Sequence, residues 1–270
     1  MLRVSTWLGV CGWPVAHSLS PEMHNAALAE AGLEGWRYLR LPLPPELVEE
    51  TVRALPAAGF RGVNVTIPHK EAALALADGA SPAARAIGAA NTLTFEDDGS
   101  IHADNTDAPG LLEALPVDPA GKVALVLGAG GAARAAVHAL VHAGAQVWVW
   151  NRTPERAQAL AEALGAQAVS RSMQAEIVIN ATSVGLHDPS GTFKALPLTA
   201  DDVGAGSCVV DMVYRPGGTA LIQTVQEWGA RTVDGLEILI AQGAASFERW
   251  TGTTAPRAAM RRTVMEIATR

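Results

Sequence analysis

The chain has 270 residues, 49% of them hydrophobic, and a formal net charge of −7. That length suits two domains, since one domain usually holds about 100–200 residues. The acidic balance, with no basic stripe, speaks against a nucleic-acid binder, and no uncharged apolar run approaches the ~18 residues of a membrane span. Two cysteines, Cys11 and Cys208, lie far apart without ligand spacing. Neither a disulfide framework nor a metal site is expected, and a reducing cytoplasm is the expected compartment. The N-terminal stretch MLRVSTWLGVCGWPV has no long apolar core and no clear cleavage site, so no leader is expected.

In chain order, short apolar runs predict strands at Leu8–Cys11, Arg37–Leu41, Gly62–Ile67, Thr92–Glu96, Val123–Leu127, Gln146–Trp150, Ile177–Asn180 and Cys208–Asp211. Alanine-rich segments between them predict helices at Pro21–Ala31, Glu46–Ala57, Glu71–Ala77, Ala132–Ala143 and Glu155–Leu164. The alternation predicts an α/β fold with largely parallel sheets, in two α/β domains around a cleft, the second of Rossmann type. The boundary falls near Asp104–Leu115, ahead of the Pro- and Gly-marked turn LPVDPAGK.

In GWPVAHSLSPEMHNAAL, Ser20 before Pro21 is a good helix N-cap, whereas Ser18 has no such structural reason to be there. His17 and His24 lack carboxylate or cysteine partners and are taken as structural. GVNVTIPHK ends a strand by delivering Lys70 to the start of the next helix. There the positive end of the helix dipole works against an ammonium, so a purely structural lysine belongs at the other end. Asp107 could serve as the N-cap of the helix running to Leu115.

Val123–Leu127 runs into Gly128, Ala129, Gly130, Gly131 and Ala132, then a helix, then the strand QVWVW. Strand, glycine turn, helix and strand make the setting of a dinucleotide-binding turn. Gly128 permits the tight turn, Gly130 lets backbone approach a diphosphate, and Ala133 takes the third glycine's place. The second strand ends in Asn151, Arg152 and Thr153 rather than in an acid, with Arg156 one turn on. An acid would repel a 2′-phosphate and an arginine pairs with it, which favours NADP over NAD. Thr153 with Pro154 would also simply start a helix.

GWPVAHSLSPEMHN, GVNVTIPHK, AANTL, DNTDAPG, GAGGAARA, NRT, NATSVGL, DMVYRP and GLEILIAQGAASFERWTG occur in this order. Over nearly the whole chain the sequence resembles the shikimate dehydrogenases, which reduce 3-dehydroshikimate to shikimate with NADPH on the route to aromatic amino acids. The resemblance implies that Ser18 and Ser20 hold the substrate carboxylate, and that Thr66, Asn91, Tyr214 and Gln242 surround the ring and its hydroxyls. It implies that Lys70 and Asp107, which also touch substrate, are the catalytic pair. Gly128 to Ala132, Asn151 to Arg156, Met212 and Gly235 would contact the cofactor. Residues 1–105 with 237–270 would form the substrate-binding and catalytic domain, and 106–236 the NADP domain. Where the family often has an acid, near Pro82, this chain has SPAARA, so no cofactor contact is assigned to that loop. The partner implied is a small molecule, with no nucleic acid and no membrane. Family members occur as monomers and as dimers, so a homodimer is compatible with the resemblance. Two other expectations stay open: a relative that also oxidises quinate or uses NAD, and a non-catalytic sensor of such ligands.

Overall fold

The structure, a computed structural model, describes residues 5–186, 188 and 190–269. The first four residues of the stretch read for a leader lie outside the described residues. The chain divides into two compact units. One comprises the chain up to Thr106 together with Leu239–Glu266, and the other Asp107–Ile238 with the last few residues. Both are α/β.

The first unit is built on six strands: β1 (Thr6–Gly12), β2 (Trp36–Pro42), β3 (Phe60–Val65), β4 (Gly79–Ala80), β5 (Thr92–Phe95) and β6 (Ile101–Asp104). Their order is β2-β1-β3-β5-β6-β4. β1 runs parallel to β2 and β3, whereas β5 is antiparallel to both β3 and β6. The register sets Val10, Asn64, Thr92 and Asp104 in one row across four strands. Leu8, Val63, Leu93 and Ala103 are fully buried, and each large aliphatic side chain so placed stabilises the unit by about 1.5–3 kcal/mol. Gly62 is required by packing, since any Cβ there would stand 2.6 Å from the Leu93 carbonyl and collide with Trp250, whose Nε1 donates to that carbonyl at 3.1 Å.

Two predicted boundaries move for reasons of proline chemistry. The helix expected over Glu46–Ala57 is a helix of Val48–Ala54 flanked by 3₁₀ turns at Pro45–Leu47 and Pro56–Ala58; it stops because Pro56 lacks the N–H that would continue the ladder. The strand expected to reach Ile67 ends at Val65. Thr66 N–H still donates to the Cys11 carbonyl at 2.9 Å, but its own carbonyl turns to accept from His69 N–H at 2.9 Å.

The second unit carries β7 (Val123–Leu127), β8 (Gln146–Trp150), β9 (Gln167–Ala168), β10 (Ile177–Asn180), β11 (Cys208–Asp211) and β12 (Arg231–Val233). All five pairings in the order β12-β11-β10-β7-β8-β9 are parallel. Central strands β7, β10 and β11 are almost continuously buried, as a parallel sheet covered on both faces demands. Among the described residues no helix is long and apolar enough to cross a membrane.

Candidate active site

The predicted substrate residues of the first unit follow β1 (Ser18, Ser20) and β3 (Thr66, Lys70), precede β5 (Asn91) or lie in the helix Gly235–Thr251 (Gln242). Ser18 and Ser20 are both buried. Ser20 proves to be the first residue of the helix Ser20–Glu30 rather than its cap, and makes no side-chain cap bond. Its backbone N–H instead donates to Ser18 Oγ at 3.3 Å. The expected N-cap reading of Ser20 is thereby corrected, because Leu19 occupies the capping position.

Lys70 is half-buried and opens the helix Lys70–Leu76. Its carbonyl accepts from Ala90 N–H at 2.8 Å, which sets Lys70 beside Asn91. Its neighbour His69 is buried and bonds the Leu43 carbonyl at 2.7 Å through Nε2, closing that side of the turn. Thr66, partly exposed, sits one turn earlier in the same loop, its methyl against Gly12, where no Cβ would fit.

Asn91 is the most constrained side chain of the group. Its Oδ1 accepts from Thr106 N–H at 2.7 Å, from Thr92 Oγ1 at 3.0 Å and from Thr106 Oγ1 at 3.2 Å. Its Nδ2 donates to Thr106 Oγ1 at 2.9 Å and to Gln242 Oε1 at 3.3 Å. Gln242 Nε2 in turn donates to the Leu239 carbonyl at 3.0 Å. Both carboxamides are therefore oriented by bonds at each end. One turn beyond Gln242, Ser246 Oγ lies 2.9 Å from Asn64 Nδ2 and Thr92 Oγ1 and 3.2 Å from Thr106 Oγ1. Asn64, Thr106 and Ser246 are buried partners of this network that the sequence reading does not single out. The row Asn64–Thr92 in adjacent strands is the available signal, since two polar residues on facing positions of a buried sheet need each other.

Asp107 follows Thr106 directly, is buried, and begins the helix Asp107–Ala114. The loop before it is tightly held. Asp104 accepts from Ser81 Oγ and from Asn105 N–H, each at 2.7 Å, and pairs with Arg249. Ser81, in the SPAARA stretch, caps the helix Pro82–Ile87 by accepting from Ala84 N–H at 3.1 Å.

In the second unit the glycine turn has the geometry a dinucleotide needs. Gly128 has φ of +118°, a conformation other residues rarely adopt, and a Cβ there would stand 3.0 Å from the Ala181 carbonyl. Gly130, the residue before the helix Gly131–His142, has nothing within 4 Å of where a Cβ would stand. That open space leaves the backbone approachable by a diphosphate at the N-terminus of a 12-residue helix. Ala129 and Ala133 are buried, while Gly131 and Ala132 are half-buried. Arg152, Thr153 and Arg156 are exposed just beyond β8, and Asn151 Nδ2 donates to the Thr153 carbonyl at 2.9 Å, shaping that turn. Thr153 precedes the helix Pro154–Leu164 but its side chain makes no cap bond. Two exposed cations with an uncapped helix start suit a phosphate better than a purely structural turn.

At the end of β11, Asp211 organises a second polar knot. Its Oδ1 accepts from Asn180 Nδ2 at 2.9 Å and Val213 N–H at 3.0 Å, and Oδ2 accepts from Thr219 Oγ1 at 2.6 Å. Burial nonetheless pushes its carboxyl up to about 6, outweighing those bonds. The knot fixes the segment carrying Met212 and Tyr214, both half-buried. Gly235 packs against it, where a Cβ would stand 2.8 Å from the Val213 carbonyl and 2.9 Å from the Asp211 carbonyl. No group of three or more His, Cys, Asp or Glu among the described residues could hold a metal ion.

Comparison with known proteins gives matches along the whole chain. A model of the shikimate dehydrogenase substrate-binding domain matches residues 10–93. A shikimate/quinate 5-dehydrogenase model matches 113–185, and one of the shikimate 5′-dehydrogenase C-terminal domain matches 235–265. The chain is 50% identical to an NADP⁺ shikimate dehydrogenase of Thermus thermophilus over 90% of its own length and 91% of that protein. It is 46% identical to the corresponding enzyme of Caulobacter vibrioides, over 89% and 87%. The crystal structure of shikimate 5-dehydrogenase from another strain of Thermus thermophilus, in complex with NADP(H) and shikimate, superposes with a TM-score of 0.88 at 44% identity, covering 97% of this chain and 99% of that one. With matches spanning both units at that identity, the chain belongs to the shikimate dehydrogenase family.

Proposed function

We propose that the chain is an NADP-dependent shikimate dehydrogenase, catalysing the reversible reduction of 3-dehydroshikimate to shikimate on the way to chorismate and the aromatic amino acids. The observation that carries this reading is the half-buried Lys70, bonded through its backbone to Ala90 and so set beside the oriented Asn91 carboxamide. Half-burial favours a lysine that works on a ligand over one solvated at the surface.

Reduction adds a hydride to the ketone carbon and a proton to its oxygen. Bound NADPH supplies that hydride, and NADP⁺ accepts it in reverse. Lys70 and Asp107 share the proton side: the Lys70 ammonium hydrogen-bonds the reacting oxygen, passes it a proton as the hydride arrives and is reprotonated from solvent, while the Asp107 carboxylate accepts a hydrogen bond from the product hydroxyl. Ser18 and Ser20 hold the substrate carboxylate through their hydroxyls. Thr66, Asn91, Tyr214 and Gln242 bond the ring hydroxyls, and the fixed orientation of Asn91 and Gln242 supports that role by lowering the ordering cost of binding. Gly128 to Ala132 receive the diphosphate, Asn151, Arg152, Thr153 and Arg156 the 2′-phosphorylated ribose, and Met212 and Gly235 the nicotinamide end. Residues 1–105 with 237–270 serve as the substrate domain and 106–236 as the NADP domain. The protein works in the cytoplasm on a small molecule, and a homodimer is compatible with that work.

The test is the initial rate of absorbance change at 340 nm with shikimate or quinate crossed with NADP⁺ or NAD⁺. Fast turnover confined to shikimate with NADP⁺ is expected. Preference for quinate or NAD⁺ would move the protein to a broader-specificity branch. A folded protein inert with all four pairs would be a ligand-binding sensor.

A further inference from the structure

Two serine hydroxyls are neutral, yet the ligand group assigned to them is a carboxylate. A cation is bonded to the backbone of one of them. Arg40, on β2, donates from Nη2 to the Ser18 carbonyl at 2.6 Å. The same nitrogen reaches Glu22 at 2.9 and 3.1 Å, in the first turn of the helix that Ser20 opens. Its Nε is shut from solvent and has no partner among the described residues. A guanidinium normally uses its planar fork of donors on a carboxylate. Here one nitrogen serves three acceptors, and a buried N–H beside Ser18 stays unspent.

We propose that Arg40 is a positioning residue of the carboxylate subsite, opposed by Glu22. It fixes Ser18 through the backbone carbonyl and supplies the positive potential that the serines lack. Glu22 offsets part of its charge, while the Ser18 carbonyl keeps the guanidinium in place. The side chains of Arg40 and Glu22 are 31% and 39% exposed, so their field is screened by salt but not abolished. This inference rests on the assignment of Ser18 and Ser20 to the substrate carboxylate.

Steady-state kinetics on Arg40→Gln, Glu22→Gln, Ser18→Ala and Ser20→Ala, each with shikimate and NADP⁺ varied, test it. Arg40→Gln is expected to raise KM for shikimate about fivefold, the upper end for a partly exposed charge, with kcat and the KM for NADP⁺ within about twofold of wild type. Glu22→Gln is expected to leave that KM unchanged or lower it, because the guanidinium loses its counter-charge. Raising ionic strength is expected to raise the wild-type KM for shikimate more than that of Arg40→Gln. A KM raised alike by both variants would make the pair a structural strut and overturn the proposal, as would an unchanged KM in Arg40→Gln. If the serine variants leave KM for shikimate unaltered, the carboxylate assignment itself falls. If they raise it while Arg40→Gln does not, only the role of Arg40 falls.

Discussion

Lowering the pH should destabilise this protein through His24 before it titrates most carboxylates. The imidazole is fully buried, neither ring nitrogen has a hydrogen-bond partner among the described residues, and the ring lies face to face on Tyr38 with centroids 4.3 Å apart. Phe247 and Trp250 complete the box at 6.4 and 5.9 Å. Desolvation alone lowers its pKa from the ordinary 6.5 to about 3. The folded protein therefore binds fewer protons here than the unfolded chain between those values, and stability present above about pH 6.5 is lost as pH falls toward 3. From pH 7.5 to 5 the loss from this one group is about 2 kcal/mol. His24→Leu, close in volume, removes the titration. At pH 7.5 it should lie within ~1.5 kcal/mol of wild type, since it gives up a ring stack but also two unsatisfied nitrogens. Urea unfolding followed by tryptophan fluorescence at the two pH values measures the difference directly. Wild type should lose about 2 kcal/mol more than His24→Leu over that interval. Equal losses in the two proteins would refute a neutral, unpartnered imidazole.

Asp211 gives a pH dependence of opposite sign. Its folded pKa, about 6, lies above the ordinary 3.8, so the folded state gains stability relative to Asp211→Asn as pH falls from about 7 to 4; a wild-type melting temperature that fails to rise relative to that of Asp211→Asn over this fall in pH would contradict this. Lys70→Ala is expected to cut kcat by a factor of about 10² to 10⁴, the usual worth of a positioned proton donor, without changing the melting temperature by more than a few degrees. A variant turning over near the wild-type rate would remove Lys70 from the chemistry. Arg152→Ala is expected to raise KM for NADP⁺ about tenfold and barely alter that for NAD⁺, whereas equal changes for both would place the 2′-phosphate elsewhere.

Local signals make the second unit the more legible half. β7, β8, β10 and β11 begin and end where their apolar runs do, because in a doubly covered parallel sheet burial alone marks a strand. The first unit is harder. β6 escapes a reading by apolar runs because IHAD is short and interrupted by His102, and β5 leaves the parallel pattern altogether. A single helix over Glu46–Ala57 overlooks what Pro56 does to a hydrogen-bond ladder. Within the site, motif residues such as Lys70, Asn91 and Gln242 are readable, but what fixes them is not. Ser246 is 182 residues from Asn64 and 154 from Thr92. A lone serine in a helix that is apolar on most sides carries no local mark of such partners. Arg40 likewise sits in an ordinary edge strand, and only the fold brings it 2.6 Å from the Ser18 carbonyl.

The helix Gly235–Thr251 also has a meaning in time. A ribosome makes the chain in order, and the second unit, continuous from Asp107 to Ile238 but for the last few residues, can close almost fully once Ile238 has emerged. The first unit, begun earlier, cannot. Until the final helices emerge, Asn64, Thr92 and Thr106 lack the Ser246 hydroxyl, the notch at Gly62 lacks Trp250, and Asn91 lacks Gln242. The half of the molecule synthesised first is thus the half finished last, and a nascent chain arrested just after residue 238 would hold a nearly complete cofactor fold and an unfinished substrate fold.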